Sequence, residues 1–139
     1  MNIYFAASIR GGRDSSNIYI SIIQYLESFS HVLTEHVGSK KLTSVGESSL
    51  SDKYIYERDI LWLKEADCII AEVTSPSLGV GYEIGIAEKL KLPILCLYNK
   101  DSQKKISAML LGNDKLICKC YSSLNEVKKE VDNFLKIYF

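Results

Sequence analysis

Residues 67–85 read DCIIAEVTSPSLGVGYEIG: an apolar run, then a stretch of small residues with three glycines and one carboxylate, Glu83. The apolar run has the length of a buried strand, and a helical pattern begins near residue 80. Glycine-rich joins between a strand and a helix are where α/β proteins cradle phosphate. Glu83 is out of keeping with that use, because its charge would repel the anion.

Working outward, the same alternation covers the chain. Strands are expected at about 2–7 (NIYFAA), 31–36 (HVLTEH), 67–73, 93–98 (PILCLY) and 115–121 (KLICKCY), and helices at about 16–29, 50–65, 80–91, 103–111 and 123–137. The last helix is the clearest, since Leu124, Val127, Val131, Phe134, Leu135 and Tyr138 recur with a period near 3.6. Apolar strands between helices imply a mostly parallel sheet covered on both faces. The expectation is one α/β domain over 1–139: a doubly wound five-stranded parallel sheet of order 2-1-3-4-5, Rossmann- or flavodoxin-like. In that order the topological switch lies between strands 1 and 3, and ligands bind beyond their carboxyl ends. The site should therefore be built from SIRGGRDSSN after strand 1 and TSPSLGVGYE after strand 3. The polar segment 38–52 is the expected long loop.

At 139 residues, 47% hydrophobic and 24% charged, the composition is that of a globular domain with a continuous core. Seventeen basic and seventeen acidic side chains cancel, so no global field draws the chain to nucleic acid or to an anionic membrane. No apolar run approaches the ~18 residues of a membrane span. MNIYFAASI lacks the basic flank of a signal peptide and reads as a buried first strand. Cys68, Cys96, Cys118 and Cys120 fall in strands without metal-ligand spacing, and are read as reduced, buried small hydrophobes. These points give the expectation of a cytoplasmic protein, also nuclear if the source is eukaryotic, with no metal and no cofactor.

In the first loop, Ser8, Ile9, Arg10, Gly11, Gly12 and Arg13 combine backbone amides, a hydroxyl and two guanidinium groups just before a helix. That is either a phosphate site or a glycine turn with two solvated arginines. The spacing is not that of a Walker loop. In the second loop, Gly79, Gly81 and Gly85 miss the dinucleotide fingerprint. Glu83 is expected in the first helical turn, where the macrodipole favours its ionised form. It either complements that dipole or serves as a nucleophile or base.

Asp59 shares the apolar stripe of its helix with Ile55, Trp62, Leu63 and Ala66. A charge there must be paired, hydrogen-bonded or facing a cavity. Two carboxylates converging on one cleft are the signature of glycosidic-bond chemistry. Tyr4, near the end of strand 1, is either a core aromatic or a hydroxyl set against one of those carboxylates. His36 ends strand 2 near the same sheet edge, as a structural residue or a ligand contact.

YFAASIRGGR, LTEHV, RDILWLKEAD, AEVTSPSLGVGYEIG, ILCLY and SAML together resemble the 2'-deoxynucleoside 5'-phosphate N-hydrolase family, within the nucleoside 2-deoxyribosyltransferase superfamily. The likeness runs in order along nearly the whole chain. It implies that Glu83 is the nucleophile that attacks C1' of the deoxyribose. It further implies that Asp59 is the acid that engages the leaving base and helps place the sugar, and that Tyr4 holds the nucleophile's carboxylate. Phosphate contacts are implied at Ser8, across Ile9–Arg13, and at Ser77, with Gly79 alongside. Ser107 in SAML, flanked by Ala108 and Met109, is implied to complete the site of an adjacent subunit, which calls for a homodimer. Where the family commonly has glycine before the serine of SIRGG, this chain has Ala7. The implied reaction is hydrolysis of the N-glycosidic bond of a deoxynucleoside monophosphate. A deoxyribosyltransferase passing the sugar to another base, and a non-catalytic nucleotide-binding module, are the alternatives.

Overall fold

The computed structural model describes residues 1–9, 16–38 and 49–139. Its elements, in order, are β1 (Asn2–Ala7), α1 (Ser16–Glu27), β2 (His31–Val32), a 3₁₀ turn (Glu35–Gly38), α2 (Asp52–Glu65), β3 (Cys68–Glu72), α3 (Leu78–Lys89), β4 (Ile94–Asn99), α4 (Ala108–Leu111), β5 (Ile117–Tyr121) and α5 (Leu124–Tyr138). The five strands form one sheet of order β2-β1-β3-β4-β5, and every neighbouring pair is parallel. This is the expected doubly wound architecture, with the switch point between β1 and β3.

Alternation along the strands divides the core in two. Ile3, Phe5, Cys68, Ile70, Leu95 and Leu97 pack beneath α1 and α5, against Tyr19, Ile22, Leu26, Val127, Val131 and Phe134. Tyr4, Ala6, Ile69, Ala71 and Cys96 face the other way, against Leu63 of α2 and Val80, Ile84 and Ala87 of α3. Period-2 strands sandwiched by period-3.6 helices dictate this layering, and each fully buried Leu or Ile contributes about 1.5–3 kcal/mol. Serine caps set the starts of four helices among the described residues: Ser51 for α2, Ser77 for α3 and Ser123 for α5 each accept an N–H from three residues on, and Ser107 for α4 accepts one from two residues on. At α5 the carboxylate of Glu126 also accepts the Ser122 amide at 2.7 Å, a variant of the capping box.

Three local expectations are corrected. The second strand is only His31–Val32, not 31–36, and a 3₁₀ turn follows. The cause is Thr34, whose hydroxyl accepts the Phe5 N–H at 2.9 Å and donates to the Phe5 carbonyl at 2.6 Å. One side chain thereby takes over both backbone groups that a longer β2 would have paired. The helix expected at 103–111 shrinks to Ala108–Leu111 behind the Ser107 cap. Ahead of it, Asn99 and Ser102 side chains accept the amides of Asp101 and Lys104 and close local turns instead. All four cysteines are free, but only Cys68 and Cys96 are buried; Cys118 is half-buried and Cys120 exposed, because β5 is an edge strand. Most of the 38–52 loop, residues 39–48, lies outside the described residues. No helix among the described residues is long and apolar enough to cross a membrane.

Candidate active site

A cavity of about 640 Å³ opens at the carboxyl ends of β1 and β3, within the range of small-molecule sites. Its walls come from four places. Tyr4, Ala6, Ala7 and Ile9 belong to β1 and its exit; Thr34, His36 and Val37 to the turn after β2; Ile55, Tyr56 and Asp59 to α2; Ser77, Gly79, Val80 and Glu83 to α3. The cavity lies at the switch point between β1 and β3, where a ligand site is expected.

Glu83 projects from α3 into the cavity, where the Tyr4 hydroxyl donates a hydrogen bond of 2.7 Å to its Oε1. Strand alternation makes this contact: Tyr4 points to the α2/α3 face of the sheet, beneath the helix that carries Glu83. Burial pushes the Glu83 carboxyl up to about 7, the Tyr4 hydrogen bond pulls it back, and the charge of Asp59 adds to the rise. The macrodipole expectation is thus corrected. The helix begins at Leu78, so Glu83 lies in its second turn rather than its first, and desolvation outweighs the dipole. Tyr4 stays firmly protonated, first through burial and then through the negative charges of Glu83 and Asp59.

Asp59 lines the same cavity from α2, as its place on the apolar stripe required. It is also ion-paired: Arg58 Nη2 lies 2.8 Å from its Oδ1 and Arg58 Nε donates to the same oxygen at 2.9 Å. The three residues expected to do chemistry therefore converge. Ser77 does two things at once, capping α3 and lining the cavity. Ser8 is fully buried at the end of β1, between cavity-lining Ala7 and Ile9. Its hydroxyl has no hydrogen-bond partner among the described residues. A buried hydroxyl without a partner next to a cavity suits a polar ligand that would satisfy it. Arg10, Gly11, Gly12 and Arg13 lie outside the described residues.

Ser107, Ala108 and Met109 do not reach this cavity within one chain. They sit exposed at the start of α4, and Ala108 and Met109 border a shallow hollow with Gly112–Lys115. Among the described residues no group of three or more His, Cys, Asp or Glu side chains converges as a metal site would. Sequence reasoning missed Thr34, Val37, Ile55 and Tyr56 as cavity walls. The only signal for Thr34 and Val37 was their closeness to His36 in LTEHV.

The nucleoside 2-deoxyribosyltransferase family model matches residues 3–134, nearly the whole chain. The chain belongs to this family. Within it, the chain is 46% identical to a 5-hydroxymethyl-dUMP N-hydrolase of Danio rerio, across 100% of this chain and 96% of that protein. It is 42% identical to a protein of the same name from Tetraodon nigroviridis, over 96% of each. It is also 51% identical to a putative 2'-deoxynucleoside 5'-phosphate N-hydrolase 1 of Nematostella vectensis, over 79% of this chain and 76% of that one. Among solved structures, a Clostridium botulinum CMP N-glycosidase shares the fold, with a TM-score of 0.69 at 18% identity over 96% of this chain and 99% of that one. The resemblance carried by SIRGGR, RDILWL and SLGVGYE thus agrees with relatives found along the full length of this nucleoside 2-deoxyribosyltransferase family member.

Proposed function

We propose that the chain hydrolyses the N-glycosidic bond of 2'-deoxynucleoside 5'-monophosphates, releasing a free nucleobase and 2-deoxyribose 5-phosphate. The observation that carries this reading is the Tyr4–Glu83 hydrogen bond of 2.7 Å, in a cavity that Asp59 also lines. The names of the N-hydrolase relatives and of the N-glycosidase neighbour point to the same bond.

In this mechanism the Glu83 carboxylate attacks C1', and the C1'–N bond breaks with its electron pair leaving on the base. An oxocarbenium-like transition state collapses to a 2-deoxyribosyl ester on Glu83. Water cleaves the ester and restores the carboxylate. Tyr4 holds Glu83 in position, while Asp59 places the sugar and engages the leaving base. The 5'-phosphate binds to Ser8, Ser77 and the loop from Ile9 to Arg13, turning remote binding energy into alignment of C1'. The protonated Glu83 cannot attack, so turnover requires the fraction that is ionised.

We also propose a homodimer in which Ser107, with Ala108 and Met109, completes the neighbouring site. Support comes from an exposed face of α3, on which the Tyr82 ring meets only that of Tyr56, at 6.4 Å, among the described residues. Leu78 is 97% exposed and Tyr82 55% exposed, and between and beyond them Gly81 and Gly85 have open space where a Cβ would be. Glycine inside a helix costs about 1 kcal/mol relative to alanine, and no contact among the described residues explains it here. Met109 of α4, 81% exposed, adds to the apolar surface.

The test is incubation with a panel of deoxynucleoside monophosphates, their ribose counterparts and the unphosphorylated deoxynucleosides. Free base should appear from the deoxynucleotides and only weakly from the other two classes. Equal turnover of nucleosides and nucleotides would defeat the phosphate assignment. Capture of the sugar by an added base faster than by water would make the chain a transferase, and intact nucleotide throughout would make it a binding module.

A further inference from the structure

Arg58, next to Asp59 in the RDILWL stretch, has no work in the mechanism above. Its side chain is only 14% exposed, and it does not itself line the cavity. Its guanidinium lies between two side chains that do. Nε and Nη2 both point to Asp59 Oδ1, at 2.9 and 2.8 Å, and Nη2 also lies 3.3 Å from His36 Nε2. Neighbours at i and i+1 on a helix do not ordinarily face each other, so this fork must be held back along α2 by something else. Trp62, four residues on and on the same helix face, supplies the support. The guanidinium carbon stands 4.6 Å from its ring centroid, and the His36 ring flanks the same indole at 5.6 Å.

The chemistry of guanidinium decides what each partner must be. Arginine donates and never accepts. A hydrogen bond from Arg58 across this 3.3 Å needs a lone pair on His36 Nε2, which is the tautomer with its ring proton on Nδ1. Asp59, gripped twice on one oxygen, is a carboxylate, which acts as an acceptor and a counter-charge rather than as a proton donor.

We propose that Arg58 is a positioning residue for the reaction: from the Trp62 shelf it fixes two cavity walls at once, Asp59 as a carboxylate and His36 as its neutral Nδ1–H tautomer. The catalytic part of this inference rests on the N-hydrolase reading; the tautomer part does not. Arg58 acts through its neighbours and touches no substrate. It couples α2 to the turn after β2, beside the His36–Trp62 ring contact.

The test uses the full chain, ¹⁵N-labelled, with long-range ¹H–¹⁵N correlation of the imidazoles. The chain has two histidines, His31 and His36, so a His31→Gln variant assigns them. Wild type should show His36 protonated at Nδ1 alone, and Arg58→Gln should move it to a mixture or to the Nε2–H form. His36 protonated at Nε2 in wild type would overturn the proposal, whatever the protein turns over. With a deoxynucleotide as substrate, Arg58→Gln should lower kcat about tenfold with KM little changed, as for other residues that orient a reacting group from behind. Arg58→Lys, which keeps the charge and loses the fork, should recover part of kcat and guards against a variant that simply unfolds. Wild-type kcat in Arg58→Gln, with its melting temperature preserved, would also overturn it.

Discussion

Each face of the sheet buries a glutamate against a tyrosine. On the α2/α3 face, Tyr4 donates to Glu83 at 2.7 Å; on the α1/α5 face, Tyr121 donates to Glu72 at 2.9 Å, with the Thr74 hydroxyl on the same oxygen. Desolvation raises both carboxyls above their ordinary range, and hydroxyl hydrogen bonds pull both back. The environments differ in one respect. Glu83 lines a cavity, whereas Glu72 is fully buried beneath the closed layer of α1 and α5. Glu72 instead organises the carboxyl ends of three strands, since Thr74, its partner, also accepts the Asn99 amide at 2.8 Å. A perturbed carboxyl beside a tyrosine is therefore not enough to mark a nucleophile. Access to the cavity separates the two.

The most damaging test of that contrast is a pair of isosteric changes. Glu83→Gln should cut kcat by at least about 10³-fold, while Glu72→Gln, remote from the cavity, should stay close to wild type. Steady-state release of free base measures both, and equal losses would erase the distinction. Stability should sort them the other way. Glu72→Leu leaves the Tyr121 and Thr74 hydroxyls buried without their acceptor and should cost about 2–6 kcal/mol in urea unfolding, at about 1–3 kcal/mol per orphaned group.

A smaller effect lies in the pH profile. With the Glu83 carboxyl near 7, kcat/KM should rise with pH through an acid limb at about that value. Tyr4→Phe removes the hydrogen bond that favours the carboxylate, so the limb should move to higher pH. The same group leaves a mark on stability. Between about 4.5 and about 7 the folded chain holds a proton on Glu83 that the unfolded chain has lost. Stability from this group is therefore highest below pH 4.5 and falls as pH rises to 7. Glu83→Gln should flatten that slope in thermal melts across the range.

The layout of the site was legible because it depends on order and period. Strand-helix alternation gave the sheet order, the order gave the switch point, and the switch point gave the two loops. Asp59 stood out because a carboxylate on an apolar stripe demands an explanation, and Tyr4 because strand alternation points it at α3. What escaped depends on single side chains reaching across space. Thr34 truncates β2 by bonding to Phe5, 29 residues away. Nothing in HVLTEH marks that threonine as different from one in a regular strand. The second-turn position of Glu83 followed from a helix start two residues earlier than expected, set by the Ser77 cap. Arg58 adjoins Asp59 in the sequence, but its contact with His36, 22 residues away, exists only in the fold.

The outer strands also govern how copies of this molecule can meet. An unprotected sheet edge invites another chain to add a strand, and aggregation follows. Here one edge, β2, offers two residues before Thr34 turns the chain away, and the other, β5, carries an exposed lysine, Lys119, at its centre. Both borders are thus poor templates for intermolecular pairing. The homodimer proposed above uses the glycine-lined face of α3 instead, away from both sheet edges, so the threonine that shortens β2 removes a competing mode of contact.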